Sequence, residues 1–250
     1  MADICGKPMI KRVLENCIKA KGFNGVILCT DNLELNQLVK DWGYSTLITS
    51  SKCQSGSERI ASVIDKIVCN AWDLSEADLN EFDKNQLLIQ TAIVNVQGDQ
   101  PFINPEILSQ ISKKLLTDKN HFDVITPVFV LPKKDIHNPA VVKTLLSSNN
   151  QAIYFSRSAL PHVRGVDPLE WYKHATYWGH AGIYAYRAEI LKQWFNLPES
   201  KLEKLEKLEQ LKILEAGYKI STFKINENSL SVDTYEQLEE ARKIALKLEN

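Results

Sequence analysis

The sequence lacks the features that mark several common classes of protein. Its 250 residues include five cysteines, an odd number, and none of them forms a Cys-x-x-Cys pair. This usage indicates reduced thiols rather than a disulfide framework. No apolar run approaches 18 residues, so no membrane-spanning helix is expected. The opening segment MADICGKPMI also has no signal-peptide core. These absences favour a cytoplasmic protein.

An excess of one charge sign is missing too. Lysine and arginine number 30 and aspartate and glutamate 31, giving a formal net charge of −1. Proteins that bind nucleic acids carry a basic excess to neutralise phosphates, so nucleic acid is not expected as the main partner. The sequence also has neither a G-x-G-x-x-G nor a Walker A motif, which leaves the common dinucleotide and P-loop sites unsupported.

What the sequence does have is alternating helix and strand periodicity. Helices are predicted at 7–20, 33–43, 57–68 (with Ser57 as N-cap), 105–117, 188–195 and 234–250, and strands at 25–30, 46–50, 91–97, 123–131, 140–147, 152–160, 181–187 and 219–226. This order indicates an α/β fold with a mostly parallel sheet covered by helices on both faces. Residues 70–90 are predicted to be a surface excursion with one helical turn, and 201–217 a charged helix with leucine at every third position. No composition break divides the chain, so 1–250 is expected to be one domain.

Two acidic residues stand out by their context. Asp99 follows the apolar run 91–97 within VNVQGDQP, and Asp233 precedes the last predicted helix. In open α/β sheets ligands lie outside the carboxyl ends of the strands, and two carboxylates that meet there could hold Mg²⁺ together with substrate phosphates. From local spacing alone the structural alternative is favoured: Asp99 is then a turn residue, and Asp233 a helix N-cap over Glu236.

Two further stretches are candidates for ligand contacts. The segment CQSGSER (53–59) places small hydroxyl residues before a helix, either as an anion or base-edge site or as a plain capped turn. Basic residues recur in the middle of the chain and, with Tyr184 and Gln97, would suit a polyhydroxylated acid. They are Lys143, Arg157, Arg164, His180 and Arg187.

Several motifs, in order, resemble one family. CGKPMI, CTDN, QSGSERIA, NVQGDQP, NPAVVK, YFSRSALP, HAGIYAYR, LEKLEQLKILEAG and SVDTYEQLEEAR are similar to segments of the 3-deoxy-manno-octulosonate cytidylyltransferases, or CMP-KDO synthetases. The similarity runs from about residue 5 to 245, with its main interruption at 70–90. It implies a Rossmann-like nucleotide-diphospho-sugar transferase fold with an antiparallel flap, and a homodimer. It also implies Mg²⁺-dependent transfer of CMP from CTP to 3-deoxy-D-manno-octulosonate (KDO) for lipopolysaccharide synthesis.

The resemblance also implies roles for individual residues. It places the catalytic metal on Asp99 and Asp233. The nucleotide would contact Gln54, Ser55, Gly56 and Arg59. The sugar acid would contact Gln97, Arg157, His180, Tyr184, Glu209 and Gln210, which makes the leucine-repeat helix a substrate-facing element.

The sequence departs from the family pattern at two places. Gln100 stands where the family usually has glutamate after Gly-Asp. The family also opens with a strand and a basic loop, broadly IPARxxSxRxPGKPL, that has no counterpart ahead of CGKPMI. The two explanations are a truncated or mis-started form of a longer enzyme and an inactive relative, and the intact motifs favour the first. The sequence also leaves open a cytidylyltransferase for sialic acid or 8-amino-KDO, or a nucleotide-binding protein without turnover.

Overall fold

The computed structural model describes residues 2–75, 77, 79–117, 122–226 and 229–249. Its strands are β1 Asp3–Ile4, β2 Lys7–Pro8, β3 Ile27–Thr30, β4 Ser45–Ile48, β5 Ala92–Asn95, β6 Val124–Val130, β7 Lys143–Leu146, β8 Ala152–Ser156, β9 Trp178–His180, β10 Tyr184–Arg187 and β11 Ile220–Lys224. Its α-helices are α1 Met9–Lys19, α2 Leu33–Asp41, α3 Gly56–Ala61, α4 Ile64–Ala71, α5 Glu81–Gln90, α6 Pro105–Thr117, α7 Ala188–Lys192, α8 Lys201–Glu206, α9 Gln210–Glu215 and α10 Tyr235–Glu249. Short 3₁₀ turns occur at Lys133–Asp135, Pro168–Lys173 and Trp194–Asn196.

The main sheet is centred on β6, whose sequence VITPVFV is buried up to its last residue. β10 and β9 pair with β6 in antiparallel fashion, and β11 pairs with it in parallel. β5 pairs antiparallel with β10, while β7 and β8 extend the sheet beyond β9. Helices pack on both faces, and the largest apolar cluster includes Phe155, Tyr186 and Trp194. The Rossmann-like α/β class with an antiparallel flap is therefore confirmed, but the sheet is mixed rather than mostly parallel.

A second parallel pair stands apart from this sheet. β3 pairs with β4, and within the described residues neither of them pairs with β5 or any other strand of the main sheet. Between β3 and β5 lies a cavity of about 470 Å³. The half of the molecule that carries the N-terminal helices thus meets the main sheet across a cavity rather than through a continuous hydrogen-bond ladder.

Four local predictions need correction. Ser55, not Ser57, caps α3, because its side chain accepts the Glu58 N–H, and the predicted helix 57–68 breaks into α3 and α4. The segment 70–90 contains the ten-residue helix α5 instead of one turn. The leucine-repeat segment forms two short helices, because Lys207 adopts a left-handed conformation with φ 55°. Pro8 lies in β2 before α1 begins.

Some predicted segments extend beyond what is described. Glu76 and Asp78 of the 70–90 excursion, and Asn250 at the end of the predicted last helix, lie outside the described residues. Across the residues that are described, no helix is both long and apolar enough to cross a membrane.

Candidate functional site

Asp99 and Asp233 meet beyond the carboxyl end of β5. The Ser231 hydroxyl donates to Asp99 Oδ2 at 2.7 Å and lies 3.4 Å from Asp233 Oδ2. The Val232 N–H donates to the Asp99 carbonyl at 2.9 Å, which fixes one loop against the other. The structure therefore brings together two carboxylates that are 134 positions apart in the sequence.

Asp233 does not serve as the cap of the last helix. Thr234 caps α10: its hydroxyl accepts the Gln237 N–H at 3.3 Å, and Gln237 Oε1 accepts the Thr234 N–H at 2.9 Å. This reciprocal pair is a capping box, so the Asp233 carboxylate is not needed as a cap. Asp99 does lie in a turn, closed by the Gln100 N–H on the Gln97 carbonyl, and that turn leaves its side chain facing Ser231.

The surroundings of Asp99 provide few hydrogen-bond donors to its carboxylate. Burial raises the pKa of Asp99, the Ser231 hydrogen bond lowers it, and the nearby Asp233 charge raises it further. Among the described residues, Asp99 Oδ1 and the neighbouring Gln100 Oε1 are buried without a hydrogen-bond partner. An oxygen-rich site of this kind suits a hard cation such as Mg²⁺. No group of three or more His, Cys, Asp or Glu ligands occurs in the part of the chain that the structure describes. Mg²⁺ often takes only one or two protein carboxylates and completes its shell with water and phosphate oxygens.

The start of α3 packs against the end of β5. A Cβ atom on Gly56 would lie 3.0 Å from Gln97 Nε2 and 3.3 Å from Asn95 Nδ2, so only glycine fits without displacing Gln97. Ser57 is fully buried, and its hydroxyl lies 2.8 Å from the Tyr186 hydroxyl. The predicted nucleotide loop and the Asp99 turn are therefore adjacent.

The rest of the predicted nucleotide set borders this loop. Arg59 donates to Thr49 Oγ1 at 2.6 Å and lies 3.4 Å from Asp31. Gln54 is exposed, and its side-chain amide donates to the Lys52 carbonyl at 2.8 Å.

Four of the predicted sugar-acid residues form one layer, in which His180, Tyr184 and Gln210 are buried and Glu209 is half-buried. The Tyr184 hydroxyl donates to Gln210 Oε1 at 2.9 Å, and the His180 ring lies 5.2 Å from the Tyr184 ring. Glu209 Oε2 accepts the Ser57 N–H at 3.1 Å, which links this layer to the start of α3. Burial raises the pKa of Glu209, against the lowering effect of its hydrogen bonds from Ser55 and Ser57. Gln210 Nε2 is a buried donor without a partner among the described residues.

His180 is a neutral imidazole of defined tautomer. Burial lowers its pKa to about 3. The Thr126 hydroxyl donates to the Ile183 carbonyl at 2.7 Å, so it can only accept from His180 Nε2, which is 2.9 Å away. The proton is therefore assigned to Nε2, and Nδ1 is a hydrogen-bond acceptor.

The basic residues do not all converge on this layer. Arg157 donates to the Glu206 carbonyl at 2.7 Å and the Pro139 carbonyl at 3.0 Å, and Lys143 donates to two carbonyls at 2.7 and 2.8 Å. Arg187 is elsewhere: it pairs with Ala92 at the start of β5 and donates to the Phe122 and Leu115 carbonyls. Arg164 is exposed.

Three polar residues of the site are not predicted by the sequence patterns. Ser231 contacts Asp99 across 132 residues, and no local pattern signals such a contact. Tyr186 is predicted only as part of a strand. Asn95 donates to the Ser57 hydroxyl at 3.2 Å, and an amide inside a buried strand is a signal that points to it.

The chain is similar to proteins of one family. A sequence model of the family described as cytidylyltransferase matches residues 1–220. A 3-deoxy-manno-octulosonate cytidylyltransferase from Francisella tularensis subsp. tularensis is 37% identical over 98% of this chain and 90% of its own length. One from Syntrophus aciditrophicus is 34% identical with the same coverage. The solved structure of CMP:2-keto-3-deoxy-manno-octonic acid synthetase complexed with CTP superposes with a TM-score of 0.82 at 31% identity, covering 98% of this chain and 90% of that one.

Proposed function

Because the chain belongs to the cytidylyltransferase family, among the 3-deoxy-manno-octulosonate cytidylyltransferases, we propose that it transfers CMP from CTP to KDO. The products are CMP-KDO, for lipopolysaccharide synthesis, and pyrophosphate. We further propose that residues 1–250 act as one nucleotidyltransferase domain, with 70–90 as an insertion, in a cytoplasmic homodimer. The relatives' names supply the substrates, and the meeting of Asp99 with Asp233 is the observation that supports the chemistry.

The proposed metal site consists of Asp99 and Asp233. The buried Asp99 Oδ1 without a donor fits a cation better than it fits a neutral turn. When bound, Mg²⁺ would neutralise charge on the phosphoryl oxygens. Ser231 holds one oxygen of Asp99 and thereby keeps its carboxylate turned toward Asp233.

The nucleotide would lie along the loop before α3. Gln54, Ser55, Gly56 and Arg59 are its proposed contacts, and Gly56 permits the close approach of this loop to Gln97. Arg59 is the cation of this set, and its hydrogen bond to Thr49 orients the guanidinium. The anomeric hydroxyl oxygen of KDO forms a bond to the α-phosphorus of CTP as the bond from that phosphorus to the bridging oxygen breaks. The electron pair of the broken bond leaves with pyrophosphate, and the hydroxyl proton is released to solvent.

The sugar acid would occupy the layer around Tyr184. Gln210 Nε2 is the unpaired donor and is suited to an acidic or hydroxyl oxygen, while neutral His180 offers Nδ1 as an acceptor for a sugar hydroxyl. Gln97, just after β5, and Glu209, just before α9, are the other proposed contacts, and both approach the start of α3, at Gly56 and Ser57 respectively. Arg157 uses three N–H groups on the Pro139, Glu206 and Lys207 carbonyls, which holds it rigidly and leaves two of its five donors for a carboxylate.

The first experiment measures pyrophosphate release by the purified chain with CTP and Mg²⁺. KDO, 8-amino-KDO and sialic acid are compared, and the CMP-sugar is identified by chromatography. We expect turnover with KDO to exceed that with sialic acid. A preference for sialic acid would refute the substrate assignment, and CTP binding without turnover on any sugar acid would favour a nucleotide-binding protein.

A matched pair of variants tests the metal assignment. Asp99→Asn removes one ligand charge and should lower pyrophosphate release at least about 100-fold, as loss of an electrostatic catalytic group commonly does. Asp65→Asn alters a surface carboxylate that pairs with Lys192 and should leave the rate unchanged. Retention of the parent rate by Asp99→Asn at saturating Mg²⁺ would remove Asp99 from the metal site.

A further inference from the structure

One buried serine connects the proposed nucleotide loop with the proposed sugar-acid layer. Ser57 directly follows the proposed nucleotide contacts 54–56 and is fully buried, so its side chain is covered by protein rather than open to a ligand. Its N–H donates to Glu209 Oε2 at 3.1 Å, and its hydroxyl lies 2.8 Å from the Tyr186 hydroxyl. Ser57 therefore links a residue assigned to the sugar acid with a residue of β10 that has no assigned role.

The Tyr186 hydroxyl is a polar group inside the apolar core. Tyr186 is fully buried, and its ring belongs to the same apolar cluster as Phe155 and Trp194. A phenylalanine ring would fill that position without bringing a hydroxyl that needs a partner there. The hydroxyl finds its partner in Ser57, 129 positions away in the sequence. This hydrogen bond ties the first turn of α3 to the main sheet.

Asn95 supports the same serine from the neighbouring strand. Its side-chain amide donates to the Ser57 hydroxyl at 3.2 Å, so that hydroxyl has partners on both β5 and β10. Asn95 pairs with Tyr184 across the two strands, and Tyr186 lies two residues further along β10, on the same side of the sheet. The Tyr184 ring lies 5.7 Å from the Tyr186 ring. The support of Ser57 is thus continuous with the sugar-acid layer.

The rest of α3 is anchored independently of this serine. Ile60 and Ala61 pack into the largest apolar cluster, and α3 also contacts α7. Loss of the Tyr186 hydroxyl should therefore leave the helix in place and loosen only its first turn, together with residues 54–56 before it. The position of the nucleotide loop can then change while the fold is kept.

These contacts place Tyr186 one residue away from both proposed ligand regions. The Ser57 N–H fixes one oxygen of Glu209, and the residues before Ser57 are the nucleotide contacts. We propose that Tyr186, acting through Ser57, is a positioning residue that sets the distance between the bound nucleotide and the bound sugar acid. This inference rests on the proposed function. Because a misplacement of about 1 Å can cost about 100-fold in rate, removal of the hydroxyl should slow the chemical step and leave the binding of each substrate nearly unchanged.

The test compares Tyr186→Phe with a matched loss of another buried hydroxyl. The Tyr177 hydroxyl donates to the Pro161 carbonyl at 2.7 Å, and its ring lies in a different apolar cluster, with Phe129 and Trp171. Tyr177→Phe therefore controls for the structural cost of losing such a hydrogen bond. Pyrophosphate release is measured with CTP, KDO and Mg²⁺. Each rate is divided by the concentration of CTP-binding sites from calorimetric titration, so that misfolded protein is not counted.

Tyr186→Phe should lower kcat at least about tenfold, while the KM for KDO and the Kd for CTP stay within about threefold of the parent values. Tyr177→Phe should keep the parent kcat. Ser57→Ala should also lower kcat, and Ser57→Thr, which keeps a hydroxyl, should recover most of it. The double variant with Tyr186→Phe and Ser57→Ala should lose little more than Ser57→Ala alone, because both changes remove the same hydrogen bond.

A second measurement reports the position of the ligands without turnover. Mn²⁺ speeds the relaxation of KDO protons in the complex with a CTP analogue that has a methylene group between the α- and β-phosphorus, and the effect falls steeply with distance. Tyr186→Phe should change this relaxation, and Tyr177→Phe should not.

The outcomes separate this inference from the proposed function. If the parent turns over, a kcat of Tyr186→Phe within about twofold of the parent value, or an equal loss in Tyr177→Phe, would overturn the positioning role and leave the proposed function intact. If the parent releases no pyrophosphate, the proposed function fails, and unchanged relaxation in Tyr186→Phe would overturn the positioning role as well.

Discussion

Removal of the Ser231 hydroxyl tests how the two carboxylates are held together. Ser231 is the described side chain that contacts both Asp99 and Asp233. Without it, the half-buried Asp99 loses the hydroxyl that donates to its Oδ2, and the exposed Asp233 is free to turn toward solvent. We expect Ser231→Ala to weaken the binding of a divalent cation, because the side chains of Asp99 and Asp233 would then have to be ordered when the cation binds.

The size of the effect follows from the hydrogen bond. A hydrogen bond to a charged group contributes about 1.5–3 kcal/mol, and about 1.4 kcal/mol corresponds to a tenfold change in affinity. The hydrogen bond from Ser231 to Asp99 is present before the metal binds. It therefore affects the Mn²⁺ affinity only to the extent that it holds the two carboxylates in position for the metal in advance. We therefore expect the lower end, a loss of about tenfold in Mn²⁺ affinity in the presence of CTP.

The assay is calorimetric titration of Mn²⁺ with a matched control. Ser229→Ala alters a serine in the same loop whose hydroxyl contacts the Phe102 carbonyl at 3.4 Å, away from the carboxylates. Ser229→Ala should bind as the parent chain does, and Ser231→Thr, which keeps a hydroxyl, should recover most of the affinity. Mn²⁺ affinity of Ser231→Ala within twofold of the parent would refute the reasoning.

Three further predictions follow from the buried layer around Tyr184 and from the packing of β9. His180 should remain neutral with its proton on Nε2, so ¹⁵N spectra between pH 5 and 8 should show no titration of this ring; a midpoint near 6.5 would contradict its burial. Because burial raises the pKa of Glu209, the folded state holds its proton to higher pH than the unfolded state does, and stability falls as pH rises above the ordinary glutamate range. Glu209→Gln should make this decline shallower in urea titrations across pH 4–8, and an unchanged slope would contradict the assignment. Gly179→Ala places a Cβ 2.5 Å from the Phe129 ring and should cost at least about 1–3 kcal/mol, whereas Gly25→Ala, with only a 3.9 Å contact, should cost less; equal losses in urea unfolding would contradict the packing.

Apolar periodicity in the sequence correctly predicts the helices and strands whose burial is determined by their own residues. The run VITPVFV is buried up to its last residue and forms the centre of the sheet. Val13 and Leu14 of α1 are buried as the helix periodicity indicates, whereas Ile18 at the end of that face is exposed. Predictions are wrong for elements that depend on distant packing. The helix α5 has only weak amphipathic character, so its sequence does not predict it. The break between α8 and α9 depends on the left-handed conformation of Lys207, and no glycine at that position indicates it.

The candidate site shows the same division. Asp99 can be singled out because a Gly-Asp pair ends a buried strand. Its proximity to Asp233 is expected from the resemblance to a family, since no spacing of 134 residues predicts a contact. Ser231 is not predictable at all, because its role exists only when two loops are folded together. The sequence also does not show that Arg187 lies away from the site. Tyr184 and Arg187 stand at opposite ends of β10, so Tyr184 pairs with Asn95 at the carboxyl end of β5 and Arg187 pairs with Ala92 at its start.

Asp99 and Asp233 are central to the proposed chemistry because they act as one divalent-cation site. The most direct measurement is a double-mutant cycle in which Mn²⁺ is titrated into the CTP-containing parent chain, Asp99→Asn, Asp233→Asn and the double variant. We predict that each single variant loses nearly all affinity and that the double variant loses little more, because residues that share one ligand are strongly non-additive. Losses that simply add, or unchanged binding in either single variant, would contradict a shared site.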